Sequence, residues 1–140
     1  VRLADRVSFE WRIPDSVRDA LVPPFILQPL VENSLEHGAG CRTAGGHVVV
    51  SAWTAAEGLF LEVRDNGPEP TDERPASAEG GIGLGNTRER LRALYGEDHK
   101  IVLRTRPGEG LEIQIRIPHR RQRPLGDDKV GNVDLLPSTP

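Results

Sequence analysis

Residues 111–117 read Leu-Glu-Ile-Gln-Ile-Arg-Ile, a strict alternation of apolar and polar side chains. A period of two belongs to a strand with one buried and one wet face. On a helix the same order would scatter the apolar groups around the cylinder. The alternation recurs twice more. Leu59, Leu61 and Val63 share a face opposite Phe60, Glu62 and Arg64, and Val7, Phe9, Trp11 and Ile13 share one opposite Ser8, Glu10 and Arg12. Val48–Trp53 and Ile101–Thr105 are further strands on their β-branched content. Arg106-Pro107-Gly108-Glu109-Gly110 supplies turn chemistry for a hairpin between the last two strands. A sheet with a single apolar face needs only one covering layer.

That layer must come from the helical segments. Phe25–His37 carries Ile26, Leu27, Leu30, Val31 and Leu35 at the spacing of one broad stripe. Pro24 suits a first helical turn, whereas Pro29 in an interior forces a later start or a bend. A second helix is expected over about Thr87–Tyr95, with Leu91 and Leu94 inward and Gly96 as its stop. Asn86 and Glu89 have the spacing of a capping pair. Asp15–Leu21 is a candidate short third helix. The expected fold class is an α/β two-layer sandwich. Pro68–Gly80 lacks any periodic apolar face and reads as a long loop. Residues 119–140 read as a disordered tail, leaving 1–118 as one domain.

Composition narrows the function classes. The chain has 140 residues with 18 Lys+Arg against 21 Asp+Glu, a net charge of −3. A general nucleic-acid binder would show a basic excess, so nucleic acid is not an expected partner. No apolar run is long enough for a membrane span, and no signal peptide opens the chain. A lone Cys41 excludes an internal disulfide framework and a cysteine-rich zinc site. A cytosolic setting is expected. The absence of methionine suggests a piece of a longer polypeptide.

Three short motifs carry chemistry. In Leu27–Gly38, helical spacing puts Asn33 and His37 on one face, four residues apart. An amide oxygen there suits a hard cation such as Mg²⁺, which takes oxygen ligands. The pair taken alone also describes an ordinary solvent-facing helix. Asp65-Asn66-Gly67 ends a predicted strand. A carboxylate there can accept from an exocyclic amine, and Gly67 permits close approach of a flat ring. Taken alone, the tripeptide is also plain turn chemistry. Gly80-Gly81-Ile82-Gly83-Leu84-Gly85-Asn86 leads into the second helix, where glycine N–H groups and the helix dipole suit a phosphate. It has neither the context of a dinucleotide fingerprint nor the Gly-Lys-Ser/Thr ending of a Walker loop. A flexible linker is the competing reading.

The order and spacing of these motifs resemble the Bergerat (GHKL) nucleotide-binding fold. Pro-Phe-Ile-Leu-Gln-Pro-Leu-Val-Glu-Asn-Ser at 24–34, Gly-Ile-Gly-Leu-Gly-Asn-Thr-Arg-Glu-Arg-Leu at 81–91 and Leu-Tyr-Gly at 94–96 resemble the LytS-like sensor histidine kinases. The resemblance spans about residues 1–118. It implies a mixed, mostly antiparallel sheet covered on one face by helices, and ATP with Mg²⁺ as cofactors. It implies that Asn33 holds the metal, that Asp65 contacts the adenine amine, and that Gly67 packs near the ring. Gly81, Ile82, Gly83, Leu84, Gly85 and Asn86 would line the phosphate cradle under the Pro68–Gly80 lid. His37 and Arg88 would approach the nucleotide.

The resemblance also implies a reaction. Members that hydrolyse ATP carry a Glu one turn before the metal Asn; this chain has Pro29 there, and Glu32 points about 100° away around the helix. The nucleophile would then be an imidazole on an upstream dimerisation domain, with a response regulator as the next partner. None of His37, His47, His99 and His119 has the acceptor context, so no autophosphorylation by this chain alone is expected. Such a chain would be the cytosolic part of a membrane-anchored bacterial sensor. Three positions depart from the pattern: Pro68-Glu69 where a second glycine is usual, Glu36 in place of Lys, and Leu111 in place of Thr. A lost hydrogen bond is worth about 0.5–1.5 kcal/mol, up to roughly tenfold in affinity, so weak ATP binding is expected. The other classes to weigh are a degenerate nucleotide module used in protein interaction, and a stand-alone ATPase or anti-sigma-type serine kinase.

Overall fold

A computed structural model describes residues 7–67, 82–106 and 110–121. Five strands form one sheet: β1 (Val7–Arg12), β2 (Gly46–Ala55), β3 (Gly58–Asp65), β4 (Lys100–Arg106) and β5 (Gly110–Ile117). Their order is β1-β2-β3-β5-β4. β1 runs parallel to β2, and the other three pairings are antiparallel. The parallel pair requires a crossover, and that crossover contains helix α1 (Gln28–His37). Helix α2 (Ile82–Tyr95) joins β3 to β4. The sheet is thus mixed and mostly antiparallel, as the resemblance implied.

The alternation in β3 and β5 puts Leu59, Leu61, Val63, Ile113, Ile115 and Ile117 on one face, each at most 4% exposed. Against them pack Ile26 and Leu30 of the α1 segment and Leu84 and Leu91 of α2. The opposite face carries polar and aromatic groups that cover one another. Trp53 stacks on Phe60 at 5.4 Å. Arg104 Nη1 donates to Glu112 Oε2 at 3.0 Å, and Gln114 Nε2 donates to Glu62 Oε2 at 3.2 Å. Glu62 and Glu112 are buried by these neighbours rather than by a second helical layer.

The structure corrects several expectations. Phe9 and Trp11 alternate as a buried face would, yet are 41% and 62% exposed. β1 is an edge strand, the helices lie over the central strands, and the two rings stack on each other at 6.2 Å instead. Leu94 is exposed and Tyr95 is partly buried in its place. α1 starts at Gln28, which puts Pro29 in the first turn where its missing N–H costs nothing. The short third helix is a single 3₁₀ turn, Asp15–Val17. Residues 119–121 are paired: Leu21 N–H donates to Arg120 O at 2.7 Å, and the Arg120 guanidinium lies 5.6 Å over the Tyr95 ring. Residues 122–140, Pro68–Gly80 and the centre of the β4–β5 turn lie outside the described residues.

α2 begins at Ile82, not near Thr87, so Gly83, Gly85 and Asn86 are helical and Asn86 caps nothing. Two glycines cost a helix about 2 kcal/mol relative to alanine. Full burial of Leu84, which is 1% exposed, returns about 1.5–3 kcal/mol. Tertiary packing therefore offsets the local preference for a turn.

Candidate functional site

Asp65 closes β3 and is 3% exposed, an unusual setting for a carboxylate. Its Oδ1 accepts the Gly67 N–H at 2.8 Å. The turn is not free-standing. Asn66 N–H donates to His47 O at 3.2 Å, Asn66 Oδ1 accepts from His47 N at 2.7 Å, and Asn66 Nδ2 donates to Gly45 O at 3.0 Å. Arg42 Nη1 adds a bond to Asn66 O at 3.2 Å. Asn66 thus staples the strand end to the start of β2, and the tripeptide is an anchored strand terminus rather than a hairpin turn.

Two glycines from distant segments, Gly38 and Gly110, pack against Asp65, and Gly67 packs against Gly38. A Cβ at Gly38 would overlap the Asp65 carboxylate, one at Gly67 would overlap the Gly38 backbone, and one at Gly110 would overlap the Asp65 carbonyl. Gly110 also has φ +91°, open chiefly to glycine. Only Gly67 was expected to serve here. Gly38 and Gly110 carry no signal in sequence, because their relation to Asp65 is purely spatial. The result is a buried acid at a strand end with bare backbone packed closely against it.

α1 brings the remaining groups alongside. Asn33 is half-buried, five residues before Gly38. His37 is exposed, one turn on from Asn33, with Nε2 3.7 Å from Glu36 Oε2. α2 packs against α1. Its first turn, Ile82 to Gly85, carries the N–H groups that a helix leaves unpaired at its start. Leu84 contributes backbone only, since its side chain is in the core. Gly85 and Asn86 are exposed and Arg88 is half-buried; Gly81 lies outside the described residues. Among the described residues no cluster of three or more His, Cys, Asp or Glu could hold a metal ion by itself.

Pro29 is half-buried, one turn before Asn33, and offers no base. Glu32 Oε2 accepts from Gln28 Nε2 at 3.2 Å on the exposed side of α1.

A mixed sheet with two helices on one face and a buried acid at a strand end is an α/β two-layer sandwich. Residues 22–121 match the family described as histidine kinase-, DNA gyrase B-, and HSP90-like ATPase, and the chain belongs to that family. It is 31% identical over 119 residues to the sensor histidine kinase BtsS of Escherichia coli, covering 85% of this chain and 21% of that protein. It is 33% identical over 123 residues to the sensor histidine kinase YesM of Bacillus subtilis, covering 86% and 21%. With the sensor protein LytS of Bacillus anthracis it shares 32% over 128 residues, covering 85% and 22%. The chain therefore spans about a fifth of the length of the relatives it matches. In fold it is similar to the histidine kinase domain of a blue-light activated kinase from Erythrobacter litoralis, with TM-score 0.61 and 20% identity over 80% of this chain and 51% of that one. The catalytic domain of the histidine kinase ThkA gives TM-score 0.60 and 18% identity over 80% of each chain. Full-length ShkA in complex with AMPPNP gives 0.61 and 20% over 86% and 27%. The matched region is the ATP-binding catalytic domain type of sensor histidine kinases.

No helix among the described residues is long and apolar enough to cross a membrane.

Proposed function

We propose that this chain presents Mg-ATP for phosphoryl transfer to a histidine on an upstream dimerisation domain of a longer sensor protein, which then serves a response regulator. The observation that carries the reading is the Asp65 carboxylate, 3% exposed at the end of β3, with the bare backbone of Gly38 and Gly110 packed against it. Such an acid accepts from an exocyclic amine. Asn33 offers its amide oxygen to the metal, and His37 and Arg88 stand on the phosphate side. The N–H groups that the first turn of α2 cannot bond within the helix, with the positive end of the helix dipole, favour phosphate oxygens. When bound, Mg-ATP supplies the transferable phosphoryl group and the cation that neutralises its charge.

Pro29 carries no carboxylate and Glu32 pairs outward with Gln28, so among the described residues of α1 neither position offers water a general base. That favours transfer to a protein nucleophile over hydrolysis. The resemblance to sensor kinases supports an imidazole as that nucleophile and a cytosolic setting; a degenerate interaction module draws no support from these relatives. Calorimetric titration of Mg-ADP is the test. The wild type should bind. Asp65→Asn should weaken binding about tenfold or more, through loss of a charge-assisted bond, and Asn33→Ala should abolish the dependence on Mg²⁺. Unchanged binding in both variants refutes the site.

A further inference from the structure

Ser34 Oγ is the single buried side-chain polar atom among the described residues with no hydrogen-bond partner. The residue is 1% exposed. An unpaired buried hydroxyl costs about 1–3 kcal/mol, and a helical serine can ordinarily satisfy itself on the carbonyl one turn back. Ser34 does not. Native proteins keep such a group where a ligand or an ordered water completes it.

The position of Ser34 says which ligand. Leu30, one turn before it, is fully buried and apolar. Gly38, one turn after it, donates its N–H to Ser34 O at 3.0 Å, and its bare Cα lies against the Asp65 carboxylate. Residues four apart share a helix face. Ser34 is therefore on the side of α1 turned toward Asp65, while Glu36 and His37 face solvent.

We propose that Ser34 is a second base-recognition residue, its hydroxyl acting beside Asp65 on the polar edge of adenine, directly or through one ordered water. A hydroxyl donor next to a carboxylate acceptor complements adenine, whose ring N1 accepts and whose amine donates. Guanine presents the opposite pair, an N–H and a carbonyl, so the two side chains together discriminate between the purines. The inference rests on the adenine-nucleotide reading above.

The test compares Ser34→Ala with the wild type by melting without nucleotide and by calorimetric titration of Mg-ADP and Mg-GDP. Removing an unpaired buried hydroxyl should raise the melting temperature by a few degrees. ADP affinity should nevertheless fall about five- to tenfold, and the preference for ADP over GDP should shrink by a similar factor. A higher melting temperature with unchanged ADP affinity overturns the proposal and marks Ser34 as a tolerated packing defect. Loss of stability together with an equal loss of both nucleotides also overturns it, showing a structural role. A wild type with no ADP affinity overturns the adenine reading itself, and this inference with it.

Discussion

Gly38→Ala tests whether missing side chains, rather than the acid alone, create the site. The new Cβ would overlap the Asp65 carboxylate. Asp65 is short, 3% exposed and held by the Gly67 N–H at 2.8 Å, so it has little room to swing aside. Two costs follow. Overpacking a filled site costs about 1–3 kcal/mol, and displacing the carboxylate from its amide loses a charge-assisted bond of about 1.5–3 kcal/mol. Their sum is about 2.5–6 kcal/mol, with the lower end expected if α1 shifts to relieve the overlap. At roughly 4 °C per kcal/mol for a domain of this size, the melting temperature should drop by about 10 °C or more. Mg-ADP affinity should fall at least as far as the roughly tenfold loss expected of Asp65→Asn, because the acid itself is displaced. Thermal melts and calorimetry on the same preparation read both numbers. A melting temperature within 2 °C of wild type together with unchanged affinity would falsify the claim that the bare Cα at 38 is what seats Asp65.

The Pro23–Ile26 turn and the β1 edge give two further predictions. Phe25 has φ +58° and is 77% exposed, a left-handed conformation that costs an L-residue about 1–2 kcal/mol with no packing in return. After about 0.5–1 kcal/mol for the greater freedom of the unfolded glycine chain, Phe25→Gly should gain up to about 1.5 kcal/mol in urea melts; a loss would show that the ring is held in the folded state. Hydrogen bonds from Arg12 first and His47 second hold the Glu10 carboxyl below its ordinary value. A depressed carboxyl contributes stability that is complete above the unfolded value and is lost as pH falls through the folded one. Wild type should therefore lose an increment as pH falls below about 4.5 that is smaller in Arg12→Ala, where His47 alone remains, and parallel urea midpoints for the two proteins across that range would refute the pairing.

The faces of β3 and β5, the β4–β5 pairing and the stripe of α1 were legible along the chain, because strand and helix periods are properties of neighbouring residues. Asn33, Asp65, Gly67 and the glycines over 80–85 could be picked out as candidates along the chain, since each motif is short and contiguous. Coverage was not legible. Val7, Phe9 and Trp11 alternate as well as Leu59, Leu61 and Val63 do, and only the placement of β1 at the sheet edge leaves two aromatic rings in solvent. The start of α2 was equally hidden, because burial of Leu84 against the sheet outweighs what two glycines prefer locally.

The chemistry of each motif is thus written in its own few residues, but its setting is not. Gly38, Gly67 and Gly110 meet at Asp65 from the end of a helix, the turn after β3 and the start of β5. The unpartnered hydroxyl of Ser34 exists only because α1 is pressed against the sheet. Sequence by itself determined which groups are available and their local periodicity. Tertiary structure decided which of them are desolvated side by side, because burial and close approach depend on segments tens of residues apart.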